Sequence, residues 1–298
     1  MPQIKKILVH EGKSLSNSAI LTYNVPSFDT IDDIYLRFTN SGAAAAETDI
    51  KSSIGKIAVN INGEQVINTT IERIYDFYKF LGNEVNQNRP ANVVTLNLGR
   101  LIFISPENED YFAWGCSNIN TIQVQVYCNN TVSKVTDCEV VTERRPVTSS
   151  LGAYIKLISY PQAMAAAGTS TVDTLPRDSN EAYLCVLAAA GTGGTISQGE
   201  VVMNGMPIYD PVTQAIDDMV VANRCFSPVT GYFNYLFADR SIKGLLPMQG
   251  VTELRFKTQF SAAPTAGVYD LLACTIKNVP TAMLNAYNSG VGSNNTAA

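Results

Sequence analysis

The feature that most constrains this chain is a strict alternation of apolar and polar residues in short segments. In the segment TIQVQVY, Ile122, Val124 and Val126 alternate with polar residues. A period of two places successive side chains on opposite faces of a β-strand. Many such runs separated by Gly, Pro, Asn and Ser predict an all-β sandwich or barrel. Further strand-like runs are residues 34–38, 56–61, 93–98, 100–104, 138–143, 154–158, 182–187, 200–204, 232–237, 253–258 and 270–276.

Two segments have a helical period instead. In residues 69–81, apolar side chains follow the i, i+3, i+4, i+7 spacing of an amphipathic helix. Thr69 and Glu72 have the spacing of a capping box, and Gly82 is placed to end the helix. We therefore predict a short helix that packs against the sheets.

The second helical segment comprises residues 211–223. Asp210 is the expected N-cap, and Pro211 occupies the first helical position, where its missing N–H costs nothing. The pattern predicts another packing element. Its apolar side contains Val212, Ile216, Met219 and Val220.

The order of these elements occurs twice along the chain. Each half contains a strand, a loop of small residues, a strand with an Asn-Gly turn and then a helix. Tyr35 and Tyr183 are 148 residues apart, and the two turns, 62–63 and 204–205, are 142 apart. Asn-Gly is typical of tight hairpins, because both residues tolerate positive φ. The repeated order predicts two copies of one β-sandwich.

The correspondence continues beyond the helices. Phe103 matches Phe237 at an offset of 134 residues, and the final strands run into Pro146 and Pro280 at the same offset. The segment RRPVTSS combines charge, proline and small polar residues, which is typical of a boundary. We therefore expect domains at residues 1–146 and 147–298, the second ending in a flexible tail.

Charge is scarce in this chain. Only 16% of the 298 residues are charged, against roughly 25% in average soluble domains, so a large interior or large interfaces must hide much of the surface. The net charge of −5 opposes direct, specific nucleic-acid binding, which needs clustered Lys and Arg. The basic clusters are Lys5-Lys6 and Arg144-Arg145, and we expect the second to be a solvated linker.

The sequence contains neither an apolar run of the roughly 18–20 residues needed to span a membrane nor a signal peptide. We expect a soluble protein made and kept in a cytoplasm, with its six cysteines reduced and buried. Cys128 and Cys138 bracket a short segment between two strands. A disulfide between them is the open alternative.

Catalytic motifs are missing from the sequence, which has one histidine, so we do not expect an enzyme. The acidic pairs Asp32-Asp33 and Asp217-Asp218 are expected on a turn and on the outer face of a helix, as solvated surface. No cofactor is expected apart from one candidate calcium site, whose oxygen density suits a hard cation. The alternative is a plain acidic loop. The candidate ligands are Glu107, Glu109 and Asp110.

Three segments carry a resemblance to a known family: AVNINGEQVINTTIERIYDFYKFLG (58–82), VVMNGMPIYD (201–210) and LFADRSIKGLLPMQGVTELRFKTQF (236–260). Their arrangement resembles the double jelly-roll major capsid proteins of tailless, membrane-containing icosahedral bacterial viruses. This corticovirus-like group is related to the tectivirus and adenovirus lineage. The resemblance covers about residues 15–280.

This resemblance implies an eight-stranded jelly roll in each half and a homotrimer with a pseudo-hexagonal outline. The trimers would tile an icosahedral virion shell over an internal lipid membrane, after assembly in the host cytoplasm. Implied partners are neighbouring trimers, penton proteins and minor capsid or membrane proteins. Low charge suits a protein that buries its sides against neighbours.

Three further hypotheses concern exposed segments. The alternative function is binding of a carbohydrate or a receptor by a tandem β-sandwich, as in a spike protein. Trp114 would then lie in a shallow binding site lined by aromatic side chains. The competing interpretation of Trp114 is core or interface packing. Residues 286–298 are expected to be a flexible arm, and Lys5 and Lys6 to face anionic lipid.

Overall fold

The fold is all-β with short helices, as the alternation predicts. The chain divides into two compact units, unit 1 (residues 1–159) and unit 2 (residues 160–298). The division lies in the strand that follows the predicted boundary segment. The computed structural model of the chain describes residues 5–10, 12–82, 89–97, 102, 112–239 and 244–279.

Unit 1 is built from two sheets. Its strands and helices are, in chain order, β1 (Lys6–Val9), β2 (Lys13–Ser14), β3 (Ile20–Val25), β4 (Thr30–Asn40), β5 (Ala43–Ala44), α1 (Glu47–Ser53), β6 (Ile54–Ile61), β7 (Glu64–Thr70), α2 (Ile71–Leu81), β8 (Val93–Thr95), β9 (Trp114–Gly115), β10 (Ile122–Cys128), β11 (Asp137–Arg145) and the start of β12 (Tyr154–Ala163).

One sheet of unit 1 has the order β1-β11-β4-β5, with β2 on β11 and with β8 and β9 on β4. The other has the order β12-β7-β6-β10-β3. The Tyr23 hydroxyl in β3 donates to the carbonyl oxygen of Cys138 in β11 at 2.5 Å, so the two sheets face each other. In β10, Ile122, Val124 and Val126 are buried, as their period of two predicts.

The N-cap of helix α2 is one residue later than predicted. Thr70 is the N-cap, and its hydroxyl accepts a hydrogen bond from the Arg73 amide at 3.3 Å. The predicted capping box through Thr69 is wrong, because the Thr69 hydroxyl is 2.6 Å from the Ser159 hydroxyl on β12. Gly82 ends the helix with φ of 103°, as predicted. Burial of eight of its eleven residues makes α2 a packing element.

The strands of unit 2 also lie in two sheets. One has the order β13-β19-β15-β16, and in the other β14 lies between β17 and β20 and also pairs with β18. The elements are β13 (Gly168–Val172), β14 (Glu181–Ala189), β15 (Thr195–Met203), β16 (Met206–Thr213), α3 (Gln214–Asn223), β17 (Tyr232–Leu236), β18 (Leu246–Pro247), β19 (Leu254–Ala262) and β20 (Val268–Lys277).

Aromatic side chains fill the core of unit 2. The rings of Tyr235 and Phe256 lie 5.3 Å apart, and those of Tyr183 and Phe256 lie 6.2 Å apart, which joins the two sheets. Gly199 in β15 admits the Phe233 ring, because a Cβ at this position would lie 2.3 Å from that ring. The close packing of aromatic rings therefore requires glycine in this strand.

The internal repeat is present in detail. Strands β6 and β7 form a hairpin through Asn62 and Gly63 with φ of 50° and 83°, and β15 and β16 do so through Asn204 and Gly205 with φ of 48° and 78°. In each unit a helix follows directly. The two four-strand orders β3-β10-β6-β7 and β13-β19-β15-β16 also correspond.

The side chains of the two turn asparagines make the same contacts. Oδ1 of Asn62 accepts from the backbone amides of Asn120 and Thr121, at 2.7 and 3.2 Å. Oδ1 of Asn204 accepts from the backbone amides of Thr252 and Glu253, at 2.9 and 3.1 Å. Each asparagine thus ties its hairpin to the beginning of the next alternating strand. The predicted matches through Phe103 and Pro280 lie outside the described residues.

The second helix is shorter than predicted. Strand β16 continues through the predicted start, because Val212 pairs with Gly199 and Thr213 with Gln198 in β15. Thr213 is the N-cap of α3 and makes no side-chain cap hydrogen bond, so the predicted cap at Asp210 is wrong. Sheet pairing has here overridden the local helix signals.

All six cysteines are free, so the alternative disulfide between Cys128 and Cys138 is wrong. Cys138 is buried and Cys128 is half-buried, whereas Cys225 is exposed, against the expectation that all six are buried. No helix within the described ranges is long and apolar enough to cross a membrane.

Candidate functional site

The acidic pair Asp32-Asp33 is buried in β4, so its predicted place on a solvated turn is wrong. Oδ1 of Asp32 accepts a hydrogen bond from Nε of Arg145 at 2.7 Å, and both side chains are less than a tenth exposed. A paired and buried carboxylate of this kind joins β4 to β11. It has a structural role and no access to a substrate.

Arg144 is also buried, so the solvated linker predicted for Arg144-Arg145 is wrong. Its guanidinium donates to the carbonyl oxygens of Phe28 and Pro26 at 2.6 and 2.7 Å and stacks 4.4 Å from the centre of the Phe28 ring. Arginine offers five N–H donors in a planar fork, which suits two carbonyl acceptors. Arg144 thereby fixes the loop between β3 and β4.

Trp114 is 1% exposed in β9, where it pairs with Ile31 of β4. It cannot line a shallow site for a sugar, and the packing interpretation is confirmed. The carbohydrate-binding hypothesis therefore loses the residue on which it depended.

Asp217 on α3 is fully buried, so its predicted place on the outer face of the helix is wrong. Oδ1 accepts from the Tyr209 hydroxyl at 2.8 Å. Oδ2 accepts from the backbone amide and the side-chain amide of Asn234, at 2.8 and 3.0 Å. Burial raises the pKa of Asp217 to about 6, since the hydrogen bonds only partly compensate for lost solvation. Asp218 lies beside it and accepts from Gln214 instead.

The candidate calcium ligands Glu107, Glu109 and Asp110 lie outside the described residues, and that site remains a prediction. Within the described part of the chain, no three His, Cys, Asp or Glu side chains converge on a possible metal position. The predicted flexible tail, residues 286–298, also lies outside the described residues.

Lys5 does not have a free charge for a lipid headgroup. Its ammonium lies 2.8 Å from a carboxylate oxygen of Glu143 on the neighbouring strand β11. Lys6 is exposed on β1, and no ion pair is found for it among the described residues. The lipid hypothesis therefore depends on Lys6 alone.

Several large apolar side chains are exposed in both units. Unit 1 exposes Ile7 and Val9 on β1, and unit 2 exposes Met206 on β16 with Ile216 and Met219 on α3. The sequence pattern places Ile216 and Met219 together but predicts that they lie on the packed side of the helix. The missed signal is Asp217, whose partners lie on the opposite side of α3.

These observations define a class of protein: two similar β-sandwiches in one chain, with buried charges in structural roles and apolar side chains on the outside. Two family models match this chain. "Viral coat protein P2 N-terminal domain" matches residues 8–138, and "Viral coat protein P2 C-terminal domain" matches residues 154–271. The chain belongs to this family of viral coat proteins, which are structural proteins.

Solved structures share the fold. The major capsid protein P2 of bacteriophage PM2 is 13% identical with a TM-score of 0.76, over 92% of this chain and 97% of that chain. A chain from the atomic structure of Sulfolobus turreted icosahedral virus is 14% identical with a TM-score of 0.63, over 96% of this chain and 97% of that one. Both likenesses bear out the double jelly-roll fold. No curated protein sequence matches.

Proposed function

We propose that this chain is the major capsid protein of an icosahedral virion and works as a homotrimer with a pseudo-hexagonal outline. The trimers tile a shell over an internal lipid membrane, and assembly takes place in the host cytoplasm. The observation that carries the proposal is the repeat of one sandwich within a single chain, down to the hydrogen bonds of Asn62 and Asn204.

The repeat matters because three chains with two similar units each present six similar outer walls. A closed ring of three chains then has the outline needed to pack in a hexagonal layer. A single sandwich per chain would need six chains to do the same. Coat proteins of the family to which the chain belongs supply the functional context.

Low charge fits such a shell, because side walls that meet neighbours cannot hold many unpaired charges. The proposed partners are neighbouring trimers, penton proteins and minor capsid or membrane proteins, with contact to the internal membrane. The net charge of −5 favours a shell that does not bind the genome directly.

The proposed role is structural and involves no catalysis. One member of each predicted acidic pair is used inside the fold: Asp32 pairs with Arg145, and Asp217 is held by Tyr209 and Asn234. The alternative of a carbohydrate-binding or receptor-binding spike has no exposed Trp114 to support it.

Light scattering of the purified protein tests the proposal. Three chains of 32.2 kDa make a particle of about 97 kDa, and negative-stain images of it should show a hexagonal outline. A monomer that binds glycans on an array would contradict the proposal and favour the spike.

A further inference from the structure

The two units differ at one equivalent edge. In unit 1, strand β7 is covered by the start of β12, where Leu157 pairs with Ile67 and Ile158 with Asn68 in parallel. In unit 2, the equivalent strand β16 is the last of its sheet, and no strand lies beyond it in the part of the chain that the structure describes. Among the described residues, the edge that is covered in unit 1 therefore has no strand beside it in unit 2.

The helices after these strands differ in the same sense. Helix α2 buries eight of its eleven residues, whereas α3 buries only Asp217 and Val221 of its ten. The outer side of α3 contains no charged residue. This side, the α3 face, consists of the exposed residues Ala215, Ile216, Met219, Ala222 and Asn223, of which only Asn223 is polar.

The polarity of α3 is inverted for a surface helix. The carboxylate of Asp217 is fully buried. Ile216 and Met219, which share the opposite side of the helix, are 45% and 57% exposed. Met206, at the start of β16, is 64% exposed. Single exposed apolar residues are ordinary, but an apolar helix face with its acid turned inward is typical of an interaction surface.

Unit 1 indicates what kind of segment covers such an edge. The segment on β7 is the strand that leads into the second copy of the repeat, and β1 is the strand that leads into the first copy. Strand β1 exposes Ile7 and Val9 by 71% and 66%, and a period of two places both on one face. Within the described residues, the chain thus has an edge at β16 that is covered in the other unit, and a leading strand, β1, with an exposed apolar face.

Charge also matches between the two surfaces. Lys6 on β1 and Asp210 on β16 are both exposed, and neither makes an ion pair within the described ranges. Pro207 and Pro211 remove two backbone donors from β16, which limits any hydrogen-bonded ladder at this edge. The contact must therefore depend on side-chain packing, and the opposite charges of Lys6 and Asp210 do not oppose it.

We propose that β1 of a second copy of this chain packs on the α3 face and the neighbouring part of β16. The two surfaces differ, so the contact is head-to-tail, and head-to-tail contacts form a ring when the rotation between neighbouring chains closes. This inference rests on the proposed function, in which the ring contains three chains. It assigns the surfaces through which each chain meets the next.

Paired substitutions test the assignment in the full chain. I216K/M219K on α3 and I7K/V9K on β1 should each reduce the scattering mass from about 97 to about 32 kDa, because two buried lysines oppose the contact. All four side chains are exposed in the single chain, so circular dichroism should stay unchanged. V268K is the matched control: Val268 is 44% exposed on β20, and this variant should stay trimeric.

A cross-link identifies the occupant. Chains with Ile7→Cys mixed with chains with Met219→Cys, both in a Cys225→Ser background, should form covalent dimers with a short bismaleimide. Each variant alone should form none. If all the lysine variants are trimers, or if the mixture gives no cross-link, the assignment of these surfaces is overturned. The proposal that the protein is a trimer would not be affected.

Two other outcomes are also informative. A wild-type protein that is monomeric would remove the proposed function itself, whatever the variants do. An I7K/V9K protein that remains trimeric but no longer binds vesicles containing anionic lipid would show that β1 faces lipid, and would overturn the inference.

Discussion

At the scale of single residues, this fold places charge where the sequence pattern suggests solvent. Arg144 and Asp217 are both fully buried. The guanidinium of Arg144 donates to neutral carbonyl oxygens, and the carboxylate of Asp217 accepts from a neutral backbone amide. A buried ionised group without such partners would cost several kcal/mol. The few charged residues of the chain are therefore partly used as internal connections between strands and loops.

The raised pKa of Asp217 makes stability depend on pH. A carboxyl group with a pKa of about 6 in the fold and about 3.9 in the unfolded chain binds its proton more tightly when folded. Its contribution is fully present below about pH 4 and is lost as the pH rises through 6. We expect the free energy of unfolding to fall by about 2–3 kcal/mol across this range from this group.

Asp217→Asn should remove that loss. An amide in this position can donate to the Tyr209 oxygen and still accept from Asn234, much as the protonated acid does. Urea unfolding between pH 4 and 7 measures the effect, with Asp218→Asn as the matched control. Parallel pH curves for wild type and Asp217→Asn would contradict the assignment.

At the scale of elements, each Asn-Gly turn does more than reverse the chain. Asn62 and Asn204 adopt positive φ and also accept hydrogen bonds from the backbone amides just before β10 and β19, which pair with the first strand of each hairpin. One side chain thus connects the turn of each sandwich to the strand beside its hairpin. Because the two networks match, the two turns should respond alike to the same substitutions.

Substitution of the turn asparagines separates these two roles. Asn62→Gly keeps the positive φ but loses the side-chain bonds, at a cost of about 1–2 kcal/mol. Asn62→Ala adds about 1 kcal/mol more, because alanine is strained at positive φ. The same order is expected at Asn204, measured by chemical denaturation. An alanine variant as stable as the glycine variant at either turn would be inconsistent with this account.

At the scale of the whole molecule, the fold is maintained without covalent cross-links, since all six cysteines are free. Burial raises the pKa of the thiols of Cys116, Cys128, Cys138 and Cys185, which keeps them protonated and unreactive. Cys225 is the exposed thiol. The stability of the protein should therefore not depend on the redox potential of its surroundings.

Thiol titration tests this. In the native protein we expect one thiol per chain to react rapidly with Ellman's reagent, and all six to react after denaturation. Cys225→Ser should abolish the rapid phase and leave the midpoint of unfolding unchanged with or without reductant. Fewer than six thiols in the denatured, unreduced protein would reveal a disulfide.

Much of the fold was predictable from local pattern. The alternation placed strands β4, β6, β10, β14, β15, β19 and β20, and the repeated order identified two similar sandwiches. Helix α2 was predicted within two residues of its start. The short helix α1 was missed, and so were the edge strands β3 and β13, because an edge strand owes its conformation to pairing with a neighbour and has weak signals of its own.

The candidate site was less predictable. Ile216 and Met219 were placed on one face of a helix, but their exposure depends on Asp217, which Asn234 and Tyr209 hold on the inner side. Asn234 lies in β17, 17 residues away, so no local pattern reports this contact. The exposure of Ile7 and Val9 likewise depends on which face of β1 meets the rest of unit 1.

The sequence by itself determined the period of two, the two Asn-Gly turns and the order in which the elements recur, since these depend on neighbouring residues and on backbone sterics. Only the tertiary structure decided which charges are buried, which equivalent edge is covered and which side of α3 faces outward. Those outcomes depend on partners far apart in the chain. Burial, unlike periodicity, is a property of the packed whole.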